Sequence, residues 1–224
     1  MKIALDGPSG AGKSTLARAI AKKLSIVYVD TGALYRSIGL FVRSRDVDPK
    51  DSAGVIACLS DISLEMRFEG GEQHIYLNGT DVGDRIRTPE ISMYASAVSA
   101  IPAVRTFLLD TQRSIAEKTS VIMDGRDIGT VILPDAEVKI FLTASAEARA
   151  RRRTLELAAK GIETTYEEVL ADMTERDHND KTRATAPAVA AADAVLLDNS
   201  DLTFDETVAA ALSIIEEKTG ECYG

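Results

Sequence analysis

The most constraining feature lies at the start of the chain. Lys2-Ile3-Ala4-Leu5-Asp6 runs directly into Gly7-Pro8-Ser9-Gly10-Ala11-Gly12-Lys13-Ser14-Thr15, which satisfies G-x-x-x-x-G-K-[ST] in full. The short apolar run predicts a buried strand, and Leu16, Ile20 and Leu24, spaced four apart, predict a helix after the loop. A strand, a phosphate-wrapping loop and a helix in that order commit the chain to a layered α/β fold. Glycines at 7, 10 and 12 let the backbone turn its N–H groups inward around an anion, and the new helix adds its positive end. Lys13 is placed to reach the β- and γ-phosphates of a nucleoside triphosphate, and the Ser14 hydroxyl to ligate Mg²⁺. Gly7, Pro8, Ser9, Gly10, Ala11, Gly12, Lys13, Ser14 and Thr15 are therefore the expected triphosphate loop. The motif by itself names no reaction.

The rest of the chain fits that start. Five short runs rich in Val, Ile and Leu, at 2–6, 26–30, 121–124, 138–142 and 194–198, predict buried parallel strands separated mostly by helical patterns. Val104, Phe107, Leu108, Thr111 and Ile115 form one helical stripe; Phe204, Val208, Leu212 and Ile215 form another. Residues 63–89 break this rhythm. Ser63–Phe68 alternates apolar and polar residues, Gly70-Gly71 offers a turn, and Asn78-Gly79 is a two-residue hairpin signal, so a small antiparallel sheet is expected there. A second departure covers about 145–190. Ser145 can cap an arginine-rich helix that Gly161 ends, and Thr165-Tyr166-Glu167-Glu168 forms a capping box for the next. The polar segment 172–183 is expected to be exposed, and the whole excursion suits a lid.

No apolar run approaches the roughly 20 residues of a membrane helix. The first predicted strand starts at once, which leaves no room for a secretory leader. Cys58 and Cys222 lack metal-site spacing, so a reduced, cytoplasmic setting is expected. A formal charge of −9 argues against a nucleic-acid polymer as partner but permits a basic cleft for small phosphates.

Several constellations could carry chemistry. The strand at 121–124 ends in Asp124-Gly125-Arg126-Asp127, and in an open parallel sheet ligands sit beyond the carboxyl ends of the strands. A carboxylate there can help hold Mg²⁺, and an arginine can fork onto phosphate. The second strand ends in Asp30-Thr31-Gly32-Ala33-Leu34-Tyr35-Arg36, which places a tyrosine and an arginine one turn inside a helix at the same rim. Arg149, Arg152 and Arg153 share a helical face, and three clustered guanidinium groups call for an anion or an acid nearby. Arg176, Asp180 and Arg183 share another, if that helix continues. His74 and His178 have no partners spaced for a metal or a catalytic triad.

With these residues the chain resembles the bacterial cytidylate kinases, nucleoside monophosphate kinases of the P-loop class. The resemblance spans nearly the whole length. It rests on Asp6–Thr15, on Asp30–Arg36, on Asp124-Gly125-Arg126-Asp127-Ile128-Gly129-Thr130, on Pro134-Asp135-Ala136 with Val138–Leu142, and on Glu175-Arg176-Asp177 with Asn179-Asp180. It implies a three-layer α/β fold with a five-stranded parallel sheet, a core of 1–35, 103–144 and 190–224, an NMP-binding insert at about 36–102 and a helical lid at about 145–189. It also implies ATP as phosphoryl donor, Mg²⁺, CMP and dCMP as acceptors, and a monomer. Thr31, Tyr35, Arg36 and Arg126 would bind the acceptor's phosphate end. Ser96, Arg105 and Asp127 would read cytosine; a carboxylate acceptor suits the exocyclic amine that uracil lacks. Asp180 and Arg176 would lie near the sugar, with Arg183 as a further acceptor-side arginine. Lys13, Arg126, Arg152 and Arg153 would act on the transferred phosphoryl group. Many relatives carry Gly-Lys-Gly-Thr where this chain has Gly12-Lys13-Ser14-Thr15, so two adjacent hydroxyls stand near the metal position. Thr31 stands for a serine and keeps its hydroxyl.

The residues alone leave two other readings open. One is a P-loop kinase for another small acceptor, such as shikimate, gluconate or a different nucleotide. The other is a nucleotide-dependent switch, although neither an Asn-Lys-x-Asp segment nor an Asp-Glu pair after the third core strand is present.

Overall fold

Val, Ile and Leu runs flanked by turn residues form the main sheet. The computed structural model describes residues 1–70 and 72–222. Its five core strands are β1 (Lys2–Asp6), β2 (Val27–Asp30), β6 (Val121–Gly125), β7 (Val138–Thr143) and β8 (Val195–Asp198), in the order β2-β6-β1-β7-β8. Pairing is parallel from β6 through β1 and β7 to β8. Ile3, Ala4 and Leu5 are fully buried, as expected for a strand covered on both faces.

The chain divides into two compact units, Met1–Ile26 with Ser120–Gly224, and Val27–Thr119. In the first, α1 (Lys13–Leu24), α6 (Ala146–Ala159), α7 (Tyr166–Thr182) and α8 (Phe204–Thr219) accompany β1, β6, β7 and β8. The register sets Leu5 beside Asp124 and Asp6 beside Gly125, so the phosphate loop and the Asp124–Asp127 segment leave neighbouring strands at the same end. β6 lies on one side of β1 and β7 on the other, so the connections diverge there, which makes that end the place for a ligand.

The second unit holds β2, α2 (Thr31–Ser44), α3 (Ser52–Leu59), α4 (Pro89–Val98), α5 (Pro102–Lys118) and an antiparallel sheet of β3 (Leu64–Glu69), β4 (Glu72–Leu77) and β5 (Thr80–Asp81). Asn78 and Gly79 take φ of 49° and 78°, the two left-handed positions that a tight hairpin turn demands. Of the expected Gly70-Gly71 turn, Gly70 has φ 60°; Gly71 lies outside the described residues. A shared apolar core built from Leu34, Ile38, Val55, Ile75, Ile91, Val98, Val104 and Leu108 joins all four helices to the small sheet. That packing groups α5 with this unit. Helix α4 had a start signal that the sequence reading passed over: Thr88 caps it through Ile91 N–H, and Pro89 takes the first helical position.

The capping box at Thr165 forms with Glu168, and Gly161 (φ 72°) lies just past the end of α6. Segment 172–183 continues α7 to Thr182 and is mostly exposed, as expected, but Met173 and Asp180 on it are buried. No single helix among the described residues is long and apolar enough to cross a membrane.

Candidate active site

The phosphate loop is shaped by its glycines. Gly7 and Gly10 have φ of 147° and 76°; an added Cβ would meet Leu142 O at 1.9 Å and the Met173 methyl at 2.7 Å. Gly12 (φ 91°) is the N-cap residue of α1, so Lys13 and Ser14 open the helix whose amides face an incoming anion. The loop is braced from behind. Arg149, buried on α6, donates to Ala144 O at 3.0 Å, to Ser9 O at 2.8 Å and to the Asp177 carboxylate on α7. One turn along the same face, Arg152 donates to Asn199 O at 2.6 Å and Asn199 Oδ1 at 3.2 Å; the Asn199 amide in turn donates to Ala11 O at 3.1 Å.

Lys13 is buried, with its ammonium on Pro8 O at 2.7 Å. Burial lowers its pKa well below the usual lysine range. The charges of Arg126 and Arg176 act in the same direction, against Asp124 and Asp6. A polyanion entering here would supply the missing negative charge. Ser14 Oγ donates to Asp124 Oδ2 at 2.7 Å, setting a hydroxyl and a carboxylate side by side. These hard oxygen donors fit Mg²⁺, which takes few protein ligands and fills its shell with water and phosphate oxygens. Thr15 is exposed, so the Ser14–Asp124 pair is the better seat for the metal.

Beyond β6, Arg126 Nε donates to Asp180 Oδ2 at 2.9 Å, and Arg183 lies 3.8 Å from the Asp180 carboxylate and 3.9 Å from that of Asp127. Burial raises the pKa of Asp180, but the charges of Arg126, Arg176 and Arg183 and the Arg126 hydrogen bond prevail and hold it below the usual carboxylate range. Residues 128–132 then form a wide helical turn, with Ile132 N–H and Leu133 N–H bonded five residues back to Asp127 O and Ile128 O.

In the second unit, Asp30 caps α2 through Ala33 N–H at 3.0 Å and pairs with Arg36 at 2.6 Å. Its backbone exchanges two hydrogen bonds with the Gln73 amide on β4. Arg36 Nε is buried with no hydrogen-bond partner among the described residues, a donor to spare. Arg105 lies 5.5 Å from the Tyr35 ring and donates to Ser99 O at 3.1 Å; the Ser99 hydroxyl donates to Ser96 O.

The profile of the family described as Cytidylate kinase matches residues 3–217. The chain belongs to the cytidylate kinase family. The cytidylate kinase of Carboxydothermus hydrogenoformans is 50% identical over 220 residues, covering 97% of this chain and 98% of that protein. That of Fervidobacterium nodosum is 49% identical over 217 residues, covering 97% of each. Among solved structures, TT1252 from Thermus thermophilus aligns at TM-score 0.49 with 18% identity, over 98% of this chain and 97% of that one.

As a member of the cytidylate kinase family, the chain gathers Lys13, Ser14, Arg126, Asp127, Arg176, Asp180 and Arg183 in its first unit. Thr31, Tyr35, Arg36, Ser96 and Arg105 all lie in the second. Arg152 and Arg153, expected to act on the transferred phosphoryl group, hold other partners: Arg152 is taken up by Asn199, and Arg153 pairs with Glu156 at 2.8 Å on its own helix. Sequence reasoning missed the bracing role of Arg149 and Asn199 and the anchoring of Asp30 by Gln73. Only the three-residue spacing of Arg149 and Arg152 gave a signal.

Proposed function

We propose that this chain transfers the γ-phosphoryl group of ATP to CMP and dCMP, giving ADP with CDP or dCDP. Family membership over residues 3–217 carries the choice of acceptor; the geometry of the loop at 7–15 supports the donor half. An oxygen of the acceptor's phosphate attacks the γ-phosphorus in line, and the bond from that phosphorus to the bridging oxygen of ADP breaks. Such a transfer needs positioning and charge neutralisation more than a strong base. Loop amides and Lys13 cradle the triphosphate, and Lys13 regains its proton's stability against the β- and γ-phosphates. Ser14, with Asp124 behind it, would hold Mg²⁺, which when bound neutralises phosphate charge.

Arg36 and Arg126, with Thr31, Tyr35 and Arg183, orient the acceptor's phosphate. Asp127 accepts from the cytosine amine, Ser96 and Arg105 take the rest of the base edge with Arg105 as a donor, and Asp180 and Arg176 take the sugar side. Residues 145–189 act as a lid over the donor, and on closure Arg152 and Arg153 exchange their present partners for the moving phosphoryl group. Water exclusion then protects ATP from hydrolysis. The natural setting is cytoplasmic, and the working form a monomer with no nucleic-acid polymer or membrane as partner. ADP release measured with CMP, dCMP, UMP, AMP and GMP tests the reading. Turnover should be greatest with CMP and dCMP, and ADP release independent of any acceptor would favour a nucleotide-driven switch instead.

A further inference from the structure

Asp6 ends β1, one residue before the phosphate loop, and is only 4% exposed. Its two carboxylate oxygens accept from the backbone N–H groups of Ile128 and Gly129, each at 2.7 Å. Charge-assisted bonds of this kind are roughly twice as strong as neutral ones. The two amides follow directly on Arg126 and Asp127 in the chain, so this side chain ties the far end of that segment to the end of β1. The far side is closed as well. A Cβ on Gly129 would lie 3.1 Å from Lys139 Cδ and 3.4 Å from Asp6 Oδ2. The Lys139 ammonium is itself tied to the Pro134 carbonyl and to Asp193 at 2.8 and 2.9 Å. Gly129 is thus gripped between the Asp6 carboxylate and the Lys139 stem.

Keeping a carboxyl group at this depth is costly. Burial pushes Asp6 up to about 6, against the two N–H bonds and Lys13, with Asp127 adding to the rise. A smaller neutral residue would end the strand more cheaply but would leave the two amides unheld.

We propose that Asp6 is a positioning residue for acceptor recognition: bonded to Ile128 and Gly129, it sets where Arg126 and Asp127 stand relative to the phosphate loop. The proposal rests on the reading of Asp127 as the acceptor for the cytosine amine. Asp6 acts through the backbone and touches no substrate atom. Asparagine at this position keeps the shape but offers one acceptor oxygen and turns an NH₂ group toward an N–H. The turn must then shift, and the groups that need close placement lose alignment.

The test compares wild type with D6N, G129A and D127N in steady-state kinetics against CMP, UMP and ATP, with thermal melts to confirm folding. In D6N, kcat/KM for CMP should fall about tenfold or more, the scale of a lost hydrogen bond to a charged group. The fall for UMP should be smaller, shrinking the CMP/UMP preference, and KM for ATP should stay within about twofold. G129A crowds the same contact from the other side without changing charge, should shift the preference in the same direction, and decides the matter if D6N does not fold. An unchanged preference in folded D6N (or in G129A in its place) overturns the proposal. So do equal losses for CMP, UMP and ATP, which would make Asp6 a support of the phosphate loop alone. D127N separates the failures. If D127N keeps the preference, the reading of Asp127 falls and this proposal with it; if D127N loses it and D6N keeps it, only the role of Asp6 falls.

Discussion

Lys13 shows how a single residue can be unfavourable for the empty protein and suited to its ligand. Its ammonium is buried against one carbonyl, between arginines that oppose its charge, and a triphosphate relieves both conditions. Lys13→Ala should therefore lower kcat by at least about a hundredfold, as removal of a charge-stabilising donor does. The melting temperature of the nucleotide-free protein should hardly drop, because the lost group adds desolvation cost rather than core packing. A large loss of stability with turnover intact would contradict this. Asp127 belongs at the same scale. Asp127→Asn should reduce the preference for CMP over UMP by about tenfold, read as the ratio of kcat/KM values.

At the scale of elements, periodicity and turn chemistry carried the reading and long-range pairing did not. The alternation at 64–68 and the Asn78-Gly79 pair made the small sheet legible, because a period of two and a left-handed turn are local properties. The arginines of α6 were legible as a shared face but not in their use. Arg149 finds Ser9 and Arg152 finds Asn199 only after the chain has folded, and both serve backbone carbonyls of or beside the phosphate loop. Polarity marked 172–183 as mostly exposed but did not mark the one buried carboxylate, Asp180, whose burial Arg126, Arg176 and Arg183 make tolerable.

Arg149→Met leaves the inner carboxylate of Asp177 without its partner and should cost about 3 kcal/mol in denaturant unfolding, with much of the loss recovered in Arg149→Met/Asp177→Leu. On the small sheet, His74 Nδ1 and the Asp81 carboxylate lie 2.8 Å apart; this hydrogen bond raises the His74 pKa and lowers that of Asp81. The His74 contribution to stability is complete below its unfolded value near 6.5 and fades as pH rises through the raised folded value. That of Asp81 is present above about 3.8 and lost as pH falls through its lowered value. The His74 titration followed by NMR should therefore have its midpoint above 6.5, and Asp81→Asn should bring it back down.

For the molecule as a whole, the contrast lies between a chain of net charge −9 and a first unit that brings Lys13, Arg126, Arg176 and Arg183 to one end of its sheet. An acidic protein with a locally basic site suits small phosphates rather than long polyanions. The donor half was readable from nine consecutive residues because a phosphate loop is a local structure. The acceptor half was not, since its expected residues are scattered from Thr31 to Arg183 and acquire meaning only through the family likeness. The choice of acceptor is thus the central claim. ADP release by the wild-type protein, measured side by side with CMP, dCMP, UMP, AMP and GMP at saturating ATP, tests it most directly. The highest kcat/KM is expected for CMP and dCMP; equal or greater efficiency with AMP or GMP would contradict the assignment of the acceptor.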